Sequence, residues 1–240
     1  MEIDEKERER IILDAATEVI LRHGYNKTTM SDVADAAGLH RGLIYLHFKS
    51  KDDLLEALII RELNTYGETW SSYLQADPLG GTVASVYRSM LHAIKPLPLM
   101  AAILTRDEQT FGKYLRKPDN LFTYLSTGAL TRDFLRIMQE AGAVRQDADV
   151  VAMAFIMDEL TPSILRMLAS QKARAGREPE HSNRLSYDSL METISEMLER
   201  MLTPVTGGHF EAGKAILLQG LADAREHFSQ MQRQRKGNAL

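Results

Sequence analysis

The stretch TTMSDVADAAGLHRGLIYLHFKSKDDLL, residues 28–55, decides how the rest of the chain is read. Thr29 offers a hydroxyl N-cap, and Asp32 stands three residues on, a variant of the capping box. A short helix is expected over Met30–Ala37, with Val33, Ala34 and Ala37 turned inward. Gly38 breaks it, because glycine takes the turn conformation without the steric cost other residues meet, and Leu39 plugs the turn. A third helix, about His40–Phe48, follows directly, and Ile44 and Phe48, four residues apart, share its inward face. KSKDDLL then turns the chain and opens a long fourth helix, about Lys51–Gln75.

Two short helices joined by a tight glycine turn, with small alanines at the crossing, make a helix-turn-helix. The second of them presents His40, Arg41, Gly42, Leu43, Tyr45, Leu46 and His47 outward. A helix entering a major groove needs such a set: donors for phosphates and base edges, a glycine for close approach, and apolar tips for thymine methyl groups. Charge agrees. The 240-residue chain carries a net charge of −4, but Arg22–Lys51 holds five Lys and Arg against Asp32 and Asp35, a local balance of +3. A local basic face matters more for phosphate attraction than the global sum.

Upstream, a first helix is expected from about Glu5 to His23, with Ile11, Ala15 and Val19, together with Ile12, Ala16 and Ile20, in its buried stripe and Gly24 as its C-terminal cap. Downstream, helical periodicity recurs near Thr82–Ile94, Leu97–Lys117, Asn120–Ala141, Asp147–Lys172, Leu185–Met201 and Phe210–Arg233. Breakers such as Pro96 and Pro98, Pro118, RAGREPEHSN and TPVTGGH separate these segments. Strand-like alternation is missing, so the fold class is all-α: a small three-helix head joined by the fourth helix to a larger helical body.

The head resembles the DNA-binding domain of the TetR family of transcriptional regulators. The resemblance rests on the pair Thr28 and Thr29, on DVADAAG, on GLIYLHF as recognition helix and on KSKDDLL opening the linker helix, and it spans roughly Glu7 to Leu63. It implies a helix-turn-helix DNA-binding domain over 1–50, a linker helix over 51–75 and a ligand-binding and dimerisation domain over 76–240. It implies that Tyr45 and His47 clasp the phosphate backbone. Lys51 matches the family's phosphate-contacting lysine, aided by the helix dipole. Thr29 caps its helix and can offer its hydroxyl to a phosphate. Arg41 is the candidate base reader, because its fork matches guanine O6 and N7, while Gly42, Leu43 and Leu46 form contact surface. His40 stands where the family usually has serine or threonine, and Leu46 where polar or aromatic residues are frequent.

The same resemblance implies a ligand-responsive regulator, most often a repressor, that binds a palindromic site on double-stranded DNA as a homodimer and is released by a small-molecule effector. For the dimer seam the candidates are VVAMAFIMDELTPSILRMLA and SLMETISEMLERMLTPV, with FEAGKAILLQGLADAREHF competing. Methionine and aromatic side chains suit an adaptable, largely apolar site. Trp70, Tyr87, Met90, Phe111, Phe122, Met138 and Phe155 are the candidate lining, with Tyr124 among further aromatics. Polar groups in apolar surroundings are candidate anchors: His92, Asp158, Arg106, Glu159 and Arg166.

Other classes find little support. No glycine-rich phosphate loop, metal-binding histidine pair or nucleophile elbow occurs, and His40 and His47, seven apart, are poorly placed to share a metal. Neither an enzyme nor a cofactor or metal is expected. The absence of cysteine excludes thiolate chemistry and fits a reducing compartment. The charged opening MEIDEKERER is unlike a signal peptide, and charges interrupt ALTRDFLRIM and VVAMAFIMDEL, so a cytoplasmic location with no membrane partner is expected.

Overall fold

The computed structural model describes residues 4–78, 80–125, 130–174, 186–205 and 208–237. Every regular element among them is a helix: α1 (Glu5–Lys27), α2 (Met30–Ala37), α3 (Arg41–His47), α4 (Lys51–Ala76), α5 (Val83–Ile94) and α6 (Pro98–Thr105). There follow α7 (Glu108–Phe111), a 3-10 turn (Gly112–Arg116), α8 (Leu121–Tyr124), α9 (Leu130–Glu140), α10 (Val150–Arg174), α11 (Tyr187–Leu202) and α12 (Phe210–Gly237). Most of RAGREPEHSN, the last residues of the tail and the side chain of Tyr124 lie outside the described residues.

Local chemistry explains the boundaries. Asp4 caps α1 by accepting from the Glu7 N–H at 2.8 Å. Gly24, with φ 74° and ψ 157°, interrupts the α1 span where the sequence places its end. Its backbone lies so close to the α7 chain that an added Cβ would stand 2.4 Å from the Gln109 carbonyl oxygen. The capping box at α2 is complete: Asp32 N–H donates to Thr29 Oγ1 at 3.2 Å, and Thr29 N–H donates to Asp32 Oδ2 at 2.8 Å. Gly38 closes α2 in the left-handed region, φ 65° and ψ 30°, donating to the Ala34 and Asp35 carbonyls.

Two expected helices are in fact broken. Leu97–Lys117 divides because Arg106 turns left-handed (φ 47°) and Asp107 caps a fresh start, accepting from the Thr110 N–H at 2.7 Å. Gly112, with φ 49°, then tightens the chain into the 3-10 turn. Asn120–Ala141 divides where Leu125 leaves helical geometry (φ −92°, ψ 56°).

The described chain forms two compact units. The first comprises the chain through Thr65, Ala102–Leu125 and the chain from Glu226; the second comprises Tyr66–Ala101 and Ser126–Arg225. In the first, Ile12, Ala16, Ile20, Val33, Ile44 and Leu58 are fully buried. Phe111 and Phe122 meet edge-on at 4.9 Å, and Tyr114 stacks at a tilt against Tyr25 at 5.6 Å. In the second, α5 packs against α11 and α9 against α10, around fully buried Leu91, Leu135, Met138 and Leu198.

A polar cluster ties the first unit together. Asp52, in the first turn of α4, accepts from the Tyr25 hydroxyl and from Lys117. Burial opposes the charge of Asp52, but the hydrogen bonds from Lys117 and Tyr25 outweigh it and hold the carboxyl below its ordinary value of 3.8. The linked stability is therefore complete above pH 3.8 and is lost as pH falls through the depressed folded-state value. Thermal melts against pH should find Asp52→Asn less stable than the parent at neutral pH, with the gap closing below 3.8. The glycines give a second comparison. Gly38→Ala meets open space and should cost only the left-handed penalty, about 1–2 kcal/mol. Gly24→Ala adds a backbone clash and should cost about 1–3 kcal/mol more in urea denaturation.

Candidate nucleic-acid interface and ligand cavity

The helix-turn-helix geometry sorts the α3 side chains cleanly. Ile44 is fully buried and Phe48, the residue after α3, is 4% exposed, which anchors one face of a seven-residue helix to the head. Burying Ile44 alone is worth about 1.5–3 kcal/mol. The other face is left outward: His40, Arg41, Gly42, Tyr45 and Leu46 are exposed, and Leu43 and His47 are half-buried. Leu46 is 79% exposed. Arg41 extends along this face, donating to the Tyr45 hydroxyl at 3.1 Å with its guanidinium 5.3 Å from the ring centroid. That contact keeps the fork over the surface without occupying all of its five donors. No Cβ neighbour lies within 4 Å of Gly42, so the backbone there can approach another surface closely.

Two of the residues expected to contact phosphate have internal partners. Lys51 Nζ donates to the Tyr25 and Thr28 carbonyls, each at 2.7 Å, and stands 4.2 Å from the Tyr25 ring centroid. Burial first, and repulsion from Lys113 second, lower its pKa from the usual lysine value. Two of its three N–H donors thus serve carbonyls at the end of α1. Thr29 Oγ1 donates to Asp32 Oδ2 at 2.9 Å, so its hydroxyl proton is engaged in the cap rather than turned outward.

The candidate ligand residues separate. Trp70, Tyr87, Met90 and Asp158 come together around a cavity of about 370 Å³ in the second unit. Met157, also in a segment expected to wall a cavity, joins them, whereas sequence reasoning missed Thr131, Phe134, Thr161, Leu217 and Leu221. Nothing local in the sequence joins those positions, although Thr161 stands next to Pro162, a proline inside α10, and three residues from Asp158. His92 instead lines a groove between α5 and α11, with Arg88, Asp188 and Glu192, and its ring meets Tyr73 edge-on at 4.7 Å. Phe111 and Phe122 belong to the core of the first unit, and Met138 is fully buried core of the second. Phe155 faces outward, 68% exposed. Arg106 donates to the Phe122 and Leu125 carbonyls and so braces a turn, while Glu159 and Arg166 are exposed on α10. Among the described residues no grouping of three His, Asp or Glu could hold a metal ion, and no helix is long and apolar enough to cross a membrane.

Comparison with known proteins follows the same division. Residues 12–58 match the family model for bacterial regulatory proteins of the tetR family. The chain is 42% identical over 57 residues to a fatty acid metabolism regulator protein of Bacillus subtilis, covering 24% of this chain and 29% of that protein. The chain thus spans less than a third of that relative's length. It is 28% identical over 179 residues to the HTH-type transcriptional repressor Rv1474c of Mycobacterium tuberculosis, covering 72% of this chain and 86% of that one. Among solved structures it is similar to the transcriptional regulator FadR from Bacillus subtilis in complex with stearoyl-CoA. The TM-score there is 0.57 at 18% identity, over 79% of this chain and 96% of that one. That last likeness is one of fold. The helix-turn-helix thus carries the sequence pattern of the tetR family of bacterial regulatory proteins over residues 12–58, and the chain shares the all-helical fold of that solved regulator over 79% of its length.

Proposed function

We propose that the protein is a ligand-responsive transcriptional regulator: a repressor that binds a palindromic operator as a homodimer and releases it when a small, largely apolar effector fills the cavity of the second unit. The observation that carries the reading is the outward face of α3. A single exposed leucine is ordinary. Leu46 and Tyr45 exposed beside Arg41, on a helix whose opposite face is buried, match the donors and apolar tips that a major groove receives. Arg41 is the base reader in this account, Tyr45 and His47 hold phosphates, and Gly42, Leu43 and Leu46 supply the close surface. Thr29 and Lys51 act chiefly by fixing the head, with Lys51 offering its remaining donor to a phosphate.

Pairing is supported by α10, where Val151 and Phe155, four residues apart, are 57% and 68% exposed and Ile156 adds 39%. An apolar stripe of this kind on one helix is a surface that a twofold mate covers. Release is a linkage effect: the effector shifts the population only through its preference for the conformation that does not bind DNA, and operator must weaken effector binding by the same factor.

Two measurements test these assignments. On an operator selected from random duplex DNA, Arg41→Ala should lower affinity by about 1–3 kcal/mol and relax sequence preference at one position. Leu46→Ala should weaken binding with an unchanged melting temperature, because its side chain is 79% exposed. Full affinity in both variants would remove α3 as the reading surface. Phe155→Glu should shift the protein to monomers in sedimentation and lower operator affinity in parallel; a dimer of undiminished stability would place the seam elsewhere.

A further inference from the structure

The cavity has an apolar body and one polar end, and the hydrogen bonds at that end point one way. Thr131 Oγ1 donates to Asp158 Oδ1 at 2.5 Å. Thr161 Oγ1 donates to the Met157 carbonyl at 2.7 Å, so the Tyr87 hydroxyl, 2.9 Å away, is the donor in its bond with Thr161. Trp70 Nε1 donates to Ser89 Oγ at 3.0 Å. The side-chain N–H and O–H groups of these four lining residues are therefore engaged with the protein itself. What remains to a guest are acceptors: the second oxygen of Asp158 and the lone pairs of Tyr87. Among the described residues, no Lys, Arg or His lines the cavity.

Resting on the reading that this cavity holds the effector, we infer that the effector is an apolar molecule carrying a protonated amine, seated with its ammonium on Asp158. A carboxylate with an unshared oxygen in an apolar recess favours a cationic donor, since charge-assisted hydrogen bonds are about twice as strong as neutral ones. A neutral hydroxyl satisfies one acceptor and leaves the charge uncompensated. A carboxylic acid guest meets like charge and no donor. A lining of acceptors around one carboxylate thus differs from one built for an anionic lipid.

Trp70, the chain's single tryptophan, lines the cavity, so its emission reports occupancy directly. Decylamine, 1-decanol and decanoate share one alkyl body and differ only in the head. Each is titrated at neutral pH, below its aggregation threshold, into the full chain and into Asp158→Asn. The amine should bind at least tenfold more tightly than the alcohol and decanoate weakest. Asp158→Asn should abolish the amine's advantage while leaving the alcohol's affinity within about twofold. Equal affinities for the three, an advantage for decanoate, or an amine preference that survives Asp158→Asn would overturn the amine assignment while the cavity stands as a binding site. If none of the three perturbs Trp70 emission, the cavity does not take a ligand of this kind and the underlying reading falls with it.

Discussion

The left-handed turn at Gly38 and the burial of Ile44 and Phe48 together determine which way α3 faces. Gly38 sits at φ 65°, where a side chain is disfavoured, and only that turn lets α3 follow α2 after so few residues. Once Ile44 is fully buried and Phe48 nearly so, the helix cannot rotate without exposing both. Arg41, Tyr45 and Leu46 are then outward as a consequence of packing. The chemistry of the outward face thus depends on two apolar contacts and one backbone conformation on the opposite side of the helix.

The start of α4 is held by the same economy of parts. Lys51 closes carbonyls at the end of α1, and Asp52, its neighbour, gathers the Tyr25 hydroxyl and the Lys117 ammonium. Gly24 permits the close approach of the Gln109 backbone, and Asn26 accepts from the Lys113 N–H at 3.1 Å. Residues 107–117 are thus fastened to the head by backbone contact, charge and ring packing within one compact unit. Lys51, expected to meet phosphate, has two of its three donors on internal carbonyls, and burial and the neighbouring Lys113 lower its pKa.

The head was legible because its signals are local. Thr29 with Asp32, Gly38, and the four-residue spacing of Ile44 and Phe48 each act within a few residues, so pattern and propensity suffice. The break after Thr105 was not: a left-handed Arg106 carries no sequence mark, and the apolar periodicity runs on through it. The cavity was half legible for a related reason. Tyr87, Met90, Trp70 and Asp158 are chemically apt, but so are Phe111, Phe122 and Met138, and only tertiary packing decides that the last three are core. His92 and Phe155 mark the same limit, since residue type names a capacity and the fold decides where it is used.

If α3 reads DNA as proposed, its outward residues Arg41, Tyr45 and Leu46 must meet the duplex twice in a symmetric site. The most direct test is to select binding sites from a random duplex pool with the full chain and map the winner by hydroxyl-radical footprinting. Two symmetric patches of protection, one helical turn or about 34–36 Å apart on one side of the duplex, are the expected result. A footprint with a single patch, or a pool from which no sequence is enriched, would contradict it.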